Sequence, residues 1–157
     1  MASNGPDFDV QAAHRYYSAL CFNRAWDLIE KPDRTPDEDE EMICLSHAAM
    51  WHWMQRTDCM PKNVSIGYWQ VSRIYAILGQ VDNARRYGQL CLEASRVEGV
   101  PPFYLAYAYE ALARSESLAG NRDQAEEYIA QARLLADKII KTEDRQQLLD
   151  DLATIGG

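Results

Sequence analysis

The sequence has no apolar run approaching the length of about 18 residues that marks a membrane-spanning helix. Its first ten residues, MASNGPDFDV, lack the basic and apolar stretches of a secretory leader. A cytoplasmic protein that does not engage a membrane is therefore expected. Four cysteines, Cys21, Cys44, Cys59 and Cys91, include no C-x-x-C pair, which excludes zinc-knuckle and thioredoxin-like chemistry and predicts buried, reduced thiols. Glycine and proline are scarce, at 8 and 6 of 157 residues, so collagen-like and low-complexity structures are excluded. The β-branched residues Val, Ile and Thr number only 19, against 75 good helix formers (Ala, Leu, Met, Glu, Gln, Lys and Arg). That imbalance predicts an all-α fold. No G-x-S-x-G, glycine-rich phosphate loop or H-E-x-x-H occurs. The sequence therefore assigns no catalytic residue and no cofactor.

What it has in excess is acid. Asp and Glu number 24 against 16 Lys and Arg, a net charge of −8. The excess is local, because residues 1–60 hold 11 acidic and 5 basic side chains and residues 61–157 hold 13 and 11. Asp33, Asp37, Glu38, Asp39, Glu40 and Glu41 fall within nine residues, opposed only by Arg34. Such a field repels phosphate backbones, and no basic stripe exists elsewhere to release counterions, so nucleic acid is excluded as a partner. The acidic run also has a structural reading. Thr35 as N-cap, Pro36 at the first helical position and Glu38 three residues after the cap form a helix-start signature. Carboxylates there favour the positive end of the helix dipole.

Apolar periodicity and these punctuation marks predict about seven helices. The first spans roughly 9–30 and carries two apolar stripes, one through Val10, Tyr17 and Leu28 and one through Phe22, Trp26 and Ile29, so packing on two sides is expected. The second spans 36–56. The third is capped by Asn63 and stopped by Gly79, and the fourth is capped by Asp82 and ends near Gly99. Pro101 and Pro102 open the fifth and Gly120 closes it. The sixth spans 123–140, and Thr142 caps a short last helix. The whole is expected to be one domain over 1–157: an N-terminal hairpin (1–60), two repeated hairpins (64–140) and a C-terminal capping helix (142–155).

The repetition is visible when the chain is laid over itself at one constant offset. Tyr68, Arg73, Gly79, Asp82, Ala84 and Tyr87 then align with Tyr109, Arg114, Gly120, Asp123, Ala125 and Tyr128. An aromatic wedges between helices, a small residue lets them approach, and glycine reverses the chain. With Ser72, Tyr75 and Cys91 in the first unit, and Ala113 and Ala132 in the second, the pattern resembles tetratricopeptide (TPR) repeats. Glu116 stands where that pattern has an aromatic, no proline closes either unit, and the period exceeds the usual value of about 34. The N-terminal half, FNRAWDLIEKPDRTPDEDEEMI followed by HAAMWHW, is similar to a group of bacterial proteins that also carry TPR-like C-terminal halves. The resemblance implies a right-handed stack of antiparallel helical hairpins and no catalytic mechanism.

In TPR folds the first helix of each hairpin lines a concave groove. The resemblance places Trp69, Arg73 and Ile77 there from one hairpin, and Tyr107, Glu110, Arg114 and Leu118 from the next. Two guanidinium groups beside aromatics suit a carboxylate or an acidic peptide. The expected function is thus a non-enzymatic scaffold that binds a protein or peptide, or pairs with itself. Alternatively, the arginines pair with Glu110, Glu116 or the chain's own acidic segment. A competing reading is a metal-binding bundle or metal-dependent enzyme. His14 and His52 each lie sixteen residues from the expected hairpin turn and are level with each other. His47 lies about 140° around the helix from His52 and joins them only through a third element.

Overall fold

Local capping decides where the helices begin. A computed structural model describes residues 5–156. Among the described residues there are seven α-helices and no strand: α1 Val10–Glu30, α2 Pro36–Met54, α3 Pro61–Ile77, α4 Val81–Ser95, α5 Pro102–Leu118, α6 Arg122–Ala136 and α7 Thr142–Ala153. Among the described residues no helix is long and apolar enough to cross a membrane. The chain divides into two units, Met1–Cys59 and Met60–Gly157.

The first unit is the hairpin of α1 and α2. The Asp9 carboxylate caps α1 by accepting from the Ala12 amide at 3.0 Å. At its other end, Arg34 donates to the Leu28, Ile29 and Lys31 carbonyls and pairs with Asp39 at 2.8 Å, satisfying acceptors that a helix end leaves open. Thr35 and Glu38 make the expected reciprocal cap: the Thr35 hydroxyl accepts from the Glu38 amide, and the Glu38 carboxylate accepts from the Thr35 amide. Lys31 pairs with Glu38 and Arg24 with Glu41. Three acidic residues of the run therefore serve to close the hairpin. Ser18 and Ala25 are the buried residues of α1, while Val10 and Tyr17 of its first stripe are 40% and 46% exposed. The two-sided burial expected of this helix is not observed within its unit, because a two-helix hairpin has one interface.

The second unit repeats a hairpin geometry. α3 and α5 are both 17 residues and begin at Pro61 and Pro102. α4 and α6 are both 15 residues and begin at Val81 and Arg122, which keeps the same interval. Tyr68 meets Tyr87 at 6.1 Å and 35°, and Tyr109 meets Tyr128 at 6.0 Å and 31°. Gly79 (φ 71°) and Gly120 (φ 80°) take the left-handed conformation at both turns, which glycine adopts without steric cost. α3 packs on α4 and α5, α4 on α5, α5 on α6, and α7 on both α5 and α6. Gly88 lets α4 and α5 come close, since a Cβ there would lie 3.1 Å from a Leu112 methyl.

Several helix starts differ from expectation by one or two residues. α3 begins at Pro61 because proline is tolerated at a first helical position. Asn63 then acts from inside, accepting from the Met60 amide at 2.9 Å. Gln80, not Asp82, is the N-cap of α4, and Asp82 lies in its first turn. α6 stops at Ala136, short of Ile140, which is 97% exposed.

Candidate functional site

α3, α5 and α7 present their facing sides to one another, and there the matched arginines lie. Glu110, at the middle of α5, is fully buried. It is isolated from water and therefore requires donors. It has them. Trp69 Nε1 of α3 donates to Glu110 Oε2 at 2.9 Å. Arg114, one turn on in α5, donates to Oε1 from Nε at 2.8 Å and from Nη2 at 2.6 Å. Arg73 of α3 reaches the same oxygen at 3.5 Å. Charge-assisted bonds of this kind are about twice as strong as neutral ones.

α7 completes the arrangement. Tyr107 donates its hydroxyl to Asp151 Oδ2 at 2.7 Å. Arg114 Nη2 also donates to the Asp151 carbonyl at 3.1 Å and to Thr154 Oγ1 at 2.9 Å. Two guanidiniums and two carboxylates thus share one face. Burial, reinforced by the hydrogen bond to Asp151, pushes the Tyr107 phenol well above its ordinary value. Burial, and then the neighbouring Arg114 charge, lower the Arg73 guanidinium.

Five of the seven residues expected to line an open groove are therefore brought together, but around Glu110. Trp69, Tyr107 and Glu110 are buried, because α7 lies against α5 as α5 lies against α3. Ile77, 37% exposed, remains at the edge, as does Leu118, 49% exposed, at the equivalent place on α5. The two arginines differ. Arg114 is held by Glu110, Asp151 and Thr154, whereas the 3.5 Å contact with Glu110 is the one hydrogen bond of the Arg73 side chain among the described residues. Nε and Nη2 of Arg73 face no protein acceptor there.

Glu116, where the pattern departs from an aromatic, has a different task. Its counterpart Tyr75 stacks on Tyr87 at 5.7 Å and 16°. Glu116 instead takes a two-pronged bond from Arg85 at 2.6 and 3.1 Å, with Asn121 adding a third donor at 2.6 Å. The Arg85 hydrogen bond holds its carboxyl below the ordinary glutamate value.

In the first unit His14 and His52 are level, with their Nδ1 atoms 2.8 Å apart. His47 does not complete a cluster with them. Among the described residues no group of three His, Cys, Asp or Glu side chains is placed to hold a metal ion. None of the four cysteines is in a disulfide, and of the four expected to be buried Cys91 is, whereas Cys21 and Cys59 are half-buried and Cys44 is exposed. Burial pushes the Cys91 thiol up to about 12, which removes it from thiolate chemistry at neutral pH.

Asp151 and Thr154 are the site residues that the helical-hairpin reading missed. A signal for Asp151 exists, since it follows Glu110 at the same interval by which Glu110 follows Trp69. Comparison of the chain with protein-family profiles, curated proteins and solved structures finds no match.

Proposed function

We propose that the chain is a TPR-like scaffold, working in the cytoplasm by binding rather than by catalysis. Its partner is a protein or peptide that carries a carboxylate next to an apolar side chain. Arg73 holds the carboxylate, and Ile77 and Leu118 contact the apolar neighbour. The observation that supports this reading is the unequal use of the two matched arginines. Arg114 is consumed by Glu110 and α7, while Arg73 keeps the Nε and Nη2 donors of its fork without a protein acceptor among the described residues. A guanidinium with spare donors beside exposed aliphatic side chains suits bidentate carboxylate recognition with apolar anchoring. The face is narrower than a full concave groove, because Trp69, Tyr107 and Glu110 support it from inside and are not accessible contacts.

Selection of peptides from a displayed random library on the immobilised full chain tests the reading. Enriched peptides are expected to carry Asp, Glu or a C-terminal carboxylate within a residue or two of Leu, Ile or Phe. Arg73→Ala should weaken the selected peptides by about tenfold or more, the size of one charge-assisted hydrogen bond. Selection of the same sequences by the Arg73→Ala protein with equal affinity would refute it, and so would peptides without acidic enrichment.

A further inference from the structure

The first unit carries a pair of groups that the proposed scaffold function does not use. His14 on α1 and His52 on α2 aim their Nδ1 atoms at each other across the hairpin at 2.8 Å. Both rings are half-buried and held by aromatic neighbours. Trp51 meets His14 edge-on at 5.3 Å and His52 at 5.0 Å, and Tyr17 stacks on His52 at 5.5 Å and 28°. A buried histidine ordinarily directs Nδ1 to a backbone carbonyl or a carboxylate, which fixes its tautomer. Here each Nδ1 has only the other imidazole. One shared proton satisfies the contact, one ring donating and the other accepting. Neither Nε2 has a hydrogen-bond partner among the described residues, so either ring is free to carry its proton there.

We propose that His14 and His52 form a two-imidazole chelate for a divalent late transition metal of the zinc or nickel class, bound through both Nδ1 atoms. Imidazole nitrogens suit these ions and do not suit Mg²⁺ or Ca²⁺, which take oxygen ligands. Metal–nitrogen bonds of about 2.0–2.1 Å at a tetrahedral angle place the two nitrogens about 3.3 Å apart. The Nδ1 atoms therefore need to separate by about half an ångström from their present contact, and the rings to turn so that both lone pairs point at the ion. The proton that one Nδ1 carries moves to Nε2 of the same ring by exchange with solvent, so binding releases no proton from the neutral pair and needs no co-reactant. With two protein ligands, water fills the remaining positions. Such a clasp joins α1 to α2 and stabilises the hairpin in proportion to the metal bound.

Titration of the full, metal-free chain with Ni²⁺ tests this directly, because Trp51 adjoins both rings and reports a bound open-shell ion by fluorescence quenching. One equivalent is expected to bind, with the quenching lost in Trp51→Phe. His14→Ala and His52→Asn should each weaken binding by at least about tenfold, the lower end of what losing even an outer partner of a ligand costs. His47→Ala should leave it unchanged. In the unaltered protein, the ring resonances of His14 and His52 should broaden before those of His47, which settles the matter even if a histidine variant fails to fold. Zn²⁺ should raise the unfolding midpoint of the unaltered chain and not that of His14→Ala. Equal affinity in the two histidine variants and the parent would overturn the proposal. So would earlier broadening of His47, or the absence of quenching up to about 1 mM metal.

Discussion

Glu110→Ala is expected to destabilise the second unit by about 3–4 kcal/mol, the range for breaking a buried ion pair by removing one partner. The carboxylate is fully buried and receives donors from Trp69, Arg73 and Arg114. Truncation removes the one carboxylate that Arg114 holds among the described residues and leaves its largely buried guanidinium facing the second cation, Arg73. The Trp69 indole N–H loses its acceptor as well, and a buried donor without a partner costs about 1–3 kcal/mol. Residual solvent access at the two arginines keeps the total below the sum of these costs. For a chain of this size the change corresponds to a fall of about 10 °C in the thermal midpoint. Glu110→Gln keeps an acceptor but no charge, and should lose about 2 kcal/mol. Thermal and urea unfolding followed by circular dichroism and by Trp69 fluorescence check both values. A loss below about 1 kcal/mol for Glu110→Ala would mean that the cluster contributes nothing net, as hydrophobic replacement of some buried ion pairs does.

Leu148→Ala is expected to release α7. Leu148 is fully buried and Leu152, one turn on, nearly so, and these two are the buried residues of a 12-residue helix. A buried leucine truncated to alanine costs about 2–5 kcal/mol. A helix this short has little stability of its own apart from packing. The loss is therefore expected to be concentrated locally, with hydrogen-exchange protection of the α7 amides falling by about 100-fold while α3 and α4 retain most of theirs. The same release withdraws Asp151 and Thr154 from Tyr107 and Arg114. Exchange rates in α7 that match the parent would show that the helix is held by something other than this apolar face.

What the sequence made legible was local or periodic. Thr35, Pro36 and Glu38 announce the start of α2 because a cap is a contact among neighbours in the chain. The constant offset from Tyr68 to Tyr109 and from Gly79 to Gly120 announces two like hairpins, and the structure repeats it in helix lengths, glycine turns and tyrosine pairs. Counting from the turn placed His14 level with His52 because a hairpin of straight helices has only one register. Glu110 was misplaced for the opposite reason. Its helical position shares a face with Arg114, and periodicity identifies a face without saying what covers it. The cover is α7, whose Asp151 continues the spacing of Trp69 and Glu110 but whose short segment lacks the tyrosine and glycine marks of the earlier hairpins. The two stripes of α1 are a similar case. An apolar stripe states that burial would be favourable and does not supply a neighbour, and within its unit α1 has only α2.

The account rests most heavily on the division between two arginines that occupy equivalent places. Arg114 is committed to the fold, and Arg73 is the one proposed to bind. Parallel urea unfolding of Arg114→Ala and Arg73→Ala measures that division directly. The expected losses are about 2–3 kcal/mol for Arg114→Ala, which strips Glu110 of its closest cation, and below about 1 kcal/mol for Arg73→Ala, whose one side-chain hydrogen bond among the described residues is long. Equal losses, or a larger loss for Arg73→Ala, would contradict the account, because Arg73 would then be as much a part of the core as its counterpart.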